Sequence, residues 1–231
     1  MGIPENLAAI RERICNAAAK AKRDPQDIKL VAVTKTVGLQ KIAEAVSRGI
    51  LILGENRVQE AQRKISNLKF EISNFEVEWH LIGHLQKNKA KYAVRLFDLI
   101  QTVDSTGLAK EINIHSEKHG KVQRVLVQVK LSDETAKHGT IEKDVMSLIR
   151  SISEMKHLAL EGLMTMPPYF EDPEMTRPYF RRLRQMRDDV EKAGFSLPEL
   201  SMGMSHDFEV AIEEGATMVR VGTALFGERT Q

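Results

Sequence analysis

The sequence predicts an α/β protein: a single (β/α)8 TIM barrel with an extra N-terminal helix and a nearly absent last helix. Three observations predict it. Eight short runs of strand length recur along the 231 residues, and most are apolar at successive positions rather than alternate ones. That is the pattern of parallel strands buried on both faces. Helical periodicities lie between the runs, so strand and helix alternate eight times. No composition break or Pro/Ser/Gly-rich linker divides the chain, so residues 1–231 read as one domain.

The elements follow in order. Leu7, Ile10, Ile14, Ala17, Ala18 and Ala21 recur at helical spacing and predict an amphipathic covering helix over residues 5–22. Cys15 lies beside its apolar stripe and reads as a small core or boundary residue. The strand runs are 30–34, 50–53, 79–82, 99–103, 125–129, 160 with 163–164, 200–202 and 218–221. Helices are expected near 38–48, 55–69, 86–95, 105–119, 141–155, 174–193 and 206–214. Gly49, Gly120, Gly194 and Gly215 stand where helices should stop. Only ten residues follow the eighth run, which leaves little room for a last helix. The N-terminal helix is expected to cover the side left bare.

Composition removes several function classes. Lys plus Arg is 34 and Asp plus Glu is 32, a formal net charge of +2, too small for a protein built on phosphate-backbone attraction. No nucleic-acid partner is expected. The longest stretch without a formal charge is nine residues, 162–170, with two prolines, whereas a bilayer span needs about 20 apolar residues. No membrane partner is expected. A single cysteine forms no internal disulfide and fits a reducing compartment. The first residues show no basic segment followed by an apolar one, so a cytoplasmic protein is expected.

In a parallel barrel the active site lies at the C-terminal strand ends, which turns the strand list into a site list. Lys35 directly follows the first run. A lysine there would point into the barrel mouth, where desolvation favours the neutral amine that attacks carbonyls. It could equally snorkel to solvent, and position alone does not separate these readings. The loops after the last two strands often build a phosphate site in this fold. Here they read Ser201-Met202-Gly203-Met204-Ser205 and Gly222-Thr223-Ala224, offering glycine N–H groups and hydroxyl donors, with ordinary helix capping by Ser205 as the plainer alternative. Arg220 sits inside the last run, where an unpaired charge is costly, so it needs a carboxylate or a ligand atom. His80 and His84 are four apart across a strand and its turn, so no metal site is expected from them. The basic segment 86–91 reads as a solvated helix face, and Lys137 as a surface residue of a long polar loop, a possible lid.

At these residues the sequence resembles the pyridoxal phosphate homeostasis protein family. The resemblance covers nearly the whole chain. It includes Leu30-Val31-Ala32-Val33-Thr34-Lys35, Gly54-Glu55-Asn56-Arg57-Val58-Gln59-Glu60 and the segment from Trp79 to Lys89. It continues through Leu163-Met164-Thr165-Met166, the segment from Leu200 to Asp207, and Val219-Arg220-Val221-Gly222-Thr223-Ala224-Leu225-Phe226-Gly227. The resemblance implies a barrel like the N-terminal domain of alanine racemase, carrying pyridoxal 5′-phosphate. It implies a Schiff base at Lys35, Arg220 facing the pyridine nitrogen, and a phosphate held by Ser201, Ser205, Gly222 and Thr223. Asn56 and His84 match positions lining the mouth. The family is implicated in cellular pyridoxal phosphate supply, without a demonstrated catalytic turnover.

The resemblance therefore implies cofactor holding and delivery, with transient encounters with apoenzymes that need the cofactor. The alternatives are an amino-acid racemase or related pyridoxal-phosphate enzyme, and an aldolase whose Lys35 binds a sugar phosphate. Racemisation needs an acid–base group on each face of the substrate carbon. Lys35 serves one. Racemases take the other from an additional C-terminal domain, for which no sequence is seen here, so a monomer without useful racemisation is expected. Tyr92 and Tyr179 fall in predicted helices, which leaves Tyr169 as the tyrosine able to fold over the mouth.

Overall fold

The computed structural model describes residues 2–68, 71–132, 134 and 138–227. Lys137 lies outside the described residues. Nine parallel strands are present among them: β1 (Lys29–Val33), β2 (Ile52–Glu55), β3 (Glu78–Leu81), β4 (Leu99–Val103), β5 (Gln123–Lys130), β6 (Thr140–Ile141), β7 (Leu158–Met164), β8 (Glu199–Met204) and β9 (Met218–Val221). They pair in the order β4-β3-β2-β1-β9-β8-β7-β5, and β4 also pairs with β5, which closes an eight-stranded barrel. The two-residue β6 hangs on β5 as a ninth strand.

Among the described residues nine α-helices pack outside: α1 (Ile3–Lys20), α2 (Leu39–Ser47), α3 (Val58–Leu68), α4 (Ala90–Leu96), α5 (Thr106–Lys118), α6 (Glu142–Ser153), α7 (Arg177–Lys192), α8 (Phe208–Glu213) and α9 (Thr223–Phe226). The last is a single turn, as expected. Helix α1 lies across α8 and α9. Its buried face is Ile3, Leu7, Ile10, Ile14, Ala17 and Ala18, the Asn6 amide donates to Leu225 O at 3.0 Å, and Arg13 pairs with Glu209. Cys15 is exposed, because one residue past Ile14 turns the side chain about 100° off the buried stripe. No helix among the described residues is long and apolar enough to cross a membrane.

Strand β2 begins two residues later than the apolar run suggests. Its register against β1, Ala32 beside Leu53 and Val33 beside Gly54, puts Gly54 and Glu55 inside the strand and leaves Leu51 half in solvent. Between strands and helices lies one large apolar core; inside the barrel is a smaller one of Val31, Leu99, Leu126, Met164 and Met218.

The rest of the interior is polar and ordered. Arg220 donates from Nη1 to Ser201 Oγ at 2.6 Å, and Ser201 donates to Gln101 Oε1 at 2.6 Å. Gln101 Nε2 lies 3.0 Å from His80 Nδ1, and His80 Nε2 lies 3.2 Å from Glu78. An arginine only donates, so each later group must pass its donor one step along. This leaves Nδ1 of His80 bare and its proton on Nε2, facing the carboxylate. Arg124 then bridges Glu78 at 3.0 Å and Glu161 at 2.8 Å at the bottom of the barrel.

Hydrogen bonding from His80, followed by that from Arg124, lowers the Glu78 pKa from 4.5 to about 2. A carboxyl depressed in the folded state contributes stability above its unfolded pKa, and loses it as pH falls through the folded one. In chemical denaturation at pH 7 and pH 3, Glu78→Gln should therefore cost stability at pH 7 and less at pH 3. Equal loss at both would show that the charge of Glu78 is not what the chain of donors uses. The side chain is 44% exposed, so solvent screening keeps the effect modest.

Candidate functional site

The C-terminal strand ends enclose a cavity of about 250 Å3 lined by Val33, Lys35, Asn56, Ile82, Met166, Met204, Ser205, His206, Arg220, Gly222 and Thr223. Six residues singled out from sequence meet there: Lys35, Asn56, Ser205, Arg220, Gly222 and Thr223. Two do not line it. Ser201 lies one layer below, fully buried, its hydroxyl engaged by Arg220 and Gln101. It supports the arginine from beneath. His84 lies outside the cavity on the rim, stacked on His138 with ring centroids 3.6 Å apart.

Lys35 sits at a strained corner. Thr36, which follows it, has φ +61°, a left-handed conformation that is rare for a β-branched residue. The Thr36 N–H donates to Glu60 Oε1 at 2.6 Å, and Val37 N–H to Thr34 O at 2.9 Å. Behind this turn Lys64 donates to Thr34 O at 2.5 Å and to Glu55 and Glu60, each at 2.7 Å. Thr34 Oγ1 donates to Glu55 at 2.6 Å. Burial raises the Glu55 pKa against the pull of Lys64 and Thr34. Burial also pushes Glu60 up, but Lys64 and the Thr36 N–H outweigh it and leave its pKa lowered. The Glu-Asn-Arg-Val-Gln-Glu segment is thus explained in part by its ends. Glu55 and Glu60, with Lys64, clamp the turn that presents Lys35, while Asn56 faces the cavity.

Two glycines bring the walls together. A side chain on Gly83 would meet Asn56 O at 2.3 Å, so only glycine lets the β3 end press on Asn56. Gly203 has φ +89°, and a Cβ there would meet Ala211 at 2.6 Å and Phe208 at 2.9 Å. The turn after it brings Ser205 to the start of α9. There the Ser205 hydroxyl accepts from Gly222 N–H at 3.1 Å and from Ala224 N–H at 3.4 Å. Backbone donors converging on one oxygen beside a threonine hydroxyl form a setting suited to an anion.

Arg220 is a buried cation in the cavity wall. Burial lowers its pKa to about 10, against the raising effect of the Asp207 charge, so it stays protonated near neutrality. Its hydrogen bonds go to neutral groups, Ser201 Oγ and Thr165 O, the latter at 2.8 Å. Asp207, its own pKa raised by burial, accepts from Met204 N–H at 2.6 Å and shapes the same turn. Val33, Ile82, Met166, Met204 and His206 complete the walls and were not singled out from sequence. Val33 and Ile82 read as strand core, Met166 and Met204 as residues of the loops that follow strands, and His206 as part of a helix.

The fold and the lysine-and-anion mouth define a class, the barrels of the alanine racemase N-terminal domain. The model of that domain matches residues 6–230. The chain belongs to the pyridoxal phosphate homeostasis protein family within it. It is 45% identical over 230 residues to the pyridoxal phosphate homeostasis protein of Aquifex aeolicus, covering 99% of both chains. It is 39% identical to that of Escherichia coli K12, covering 98% of this chain and 97% of the other. Among solved structures, PipY of Synechococcus elongatus with PLP bound superposes with a TM-score of 0.86 at 35% identity, covering 97% of this chain and all of that one. Alanine racemase of Clostridium difficile shares the fold, with a TM-score of 0.75 at 18% identity; this chain spans 57% of its length.

Proposed function

We propose that this chain holds pyridoxal 5′-phosphate in the mouth of its barrel and delivers it, within the cytoplasm and as a monomer, to apoenzymes that need it. The observation that carries the reading is the single cavity that gathers Lys35, Arg220, Ser205, Gly222 and Thr223. The donor set fits the group. Lys35 offers an amine to the aldehyde, Arg220 offers a donor to the ring nitrogen, and Gly222, Thr223 and Ser205 offer N–H and O–H donors to the phosphate. Asn56 closes the wall beside Lys35. Bound through a lysine amine, pyridoxal phosphate supplies an electrophilic carbon joined to an electron-withdrawing ring. The protein's part is to bind and orient. Arg220, kept cationic, opposes a second positive charge at the ring nitrogen, which weakens the ring as an electron sink.

The names of the relatives and the PLP-bound PipY structure support this reading over an amino-acid racemase. A racemase would need a second proton-transferring group across the cavity. Tyr92 and Tyr179 lie on the outer helices α4 and α7. Tyr169 reaches the edge of the mouth, its ring 5.4 Å from that of His206, but it is 74% exposed. Its hydroxyl stands largely in water.

The test mixes the cofactor-loaded protein with an inactive apoenzyme of the pyridoxal-phosphate class. Activity should appear as the visible absorption of the loaded protein declines in proportion. Retention of cofactor while the apoenzyme stays inactive would reject delivery.

A further inference from the structure

We propose that His84, Asp104 and His138 form a binding site for a divalent transition-metal ion of the zinc class on the rim of the barrel mouth. Each residue offers one ligand atom, and the three atoms lie within 4.8 Å of one another. They come from three neighbouring strand ends: His84 after β3, Asp104 directly after β4, and His138 just before β6, which pairs with β5.

The separation of His84 from Asp104 suits a bridging ion better than a direct contact. His84 Nδ1 and Asp104 Oδ2 are 3.6 Å apart, too far for a hydrogen bond. Two ligands bound at about 2.0–2.1 Å, at tetrahedral to trigonal angles, stand roughly 3.3–3.6 Å from each other. The His84 and His138 rings are 3.6 Å apart and inclined by 10°. Stacked rings aim their in-plane nitrogens side by side, so binding of the ion requires the exposed His138 ring to swing out of the stack.

The backbone under each ligand is fixed by buried contacts. Gly83 O, next to His84, accepts from the buried Thr102 hydroxyl at 2.8 Å. Asp104 is held between β4 and Ser105, the residue that caps α5. His138 O accepts from the buried Gln128 amide at 3.0 Å. Two imidazoles and one carboxylate select zinc, nickel or cobalt over magnesium or calcium, which want oxygen shells. Three protein ligands leave at least one coordination position open to water or an incoming anion. Gly83 also presses on Asn56, so the ion would stand beside the proposed cofactor cavity without sharing a ligand with it.

The test titrates untagged, full-length, chelator-treated protein with Zn2+ alone by calorimetry. Binding should saturate at one ion per chain. His84→Ala and His138→Ala should each weaken it by about tenfold or more, and Asp104→Asn should weaken it less. His119→Ala, at the exposed end of α5, should leave it unchanged. Absence of saturable binding, or equal binding by a His84→Ala/His138→Ala double variant, would overturn the proposal. Both histidines are exposed, so loss of fold is not expected to confuse the result; circular dichroism checks it.

Discussion

Lys35→Ala should abolish the visible absorption band of lysine-bound pyridoxal phosphate while leaving the fold intact by circular dichroism. Lys35 stands two residues beyond the end of β1 and is only partly buried, so its side chain adds little to either apolar core. The turn around it is held by Glu60, Lys64 and the Thr34 carbonyl, none of which the substitution touches. The proposed anion donors of Gly222, Thr223 and Ser205 also survive. Weak, non-covalent binding of pyridoxal phosphate should therefore persist, and unphosphorylated pyridoxal should bind far worse. Each charge-assisted donor is worth about 1.5–3 kcal/mol where buried, roughly ten- to a hundredfold in affinity. An undiminished band in the variant, with reductive trapping at another lysine, would remove Lys35 from its assigned role.

The second large effect is expected at a residue outside the cavity. Lys64→Met should destabilise the protein by about 3–5 kcal/mol, the usual cost of leaving a buried charge without its partner. Glu55 is fully buried, and its Oε2 has no hydrogen-bond partner. For a chain of this length that loss lowers the melting temperature by roughly 10 °C. The sign of the pH dependence follows. Without Lys64 the Glu55 pKa rises further, so the folded state binds a proton that the unfolded state releases, and stability falls as pH rises. The deficit should thus shrink in acid. Adding Glu55→Gln should recover much of the loss. A Lys64→Met variant within about 1 kcal/mol of wild type would show that the clamp does not hold the turn.

Much of the fold could be read from the chain because a barrel strand is buried on both faces and so carries few charges. Strands β4 and β9 lie where their uncharged or nearly uncharged runs lie. Strand β2 slipped by two residues because Ile50 and Leu51 are apolar too, and only pairing with β1 decides which apolar residues enter the sheet. The site was legible as strand ends, which brought out Lys35, Ser205, Gly222 and Thr223. Ser201 was harder. Ser201 belongs to the strand run 200–202 and counts among the expected phosphate donors too, but β8 runs on to Met204 through an irregular register with β9, which leaves that serine inside the barrel below the cavity. The partnership of Glu55 with Lys64 joins a strand to the helix after it, and that of Arg220 with His80 runs through two other strands. Neither leaves a local spacing to find.

The barrel closes where β9 meets β1, at Lys29 to Met218 and onward to Ala32 and Val221. The first and last contributors to the cavity are therefore almost the whole sequence apart. During synthesis Lys35 would be translated long before Arg220, Gly222 and Thr223, and a cradle for the cofactor cannot exist until the seam is zipped. A ligand gripped across that seam acts as a clasp. It favours the closed barrel over every form in which β9 has peeled away, so a chain whose seam is open could not hold the proposed cofactor.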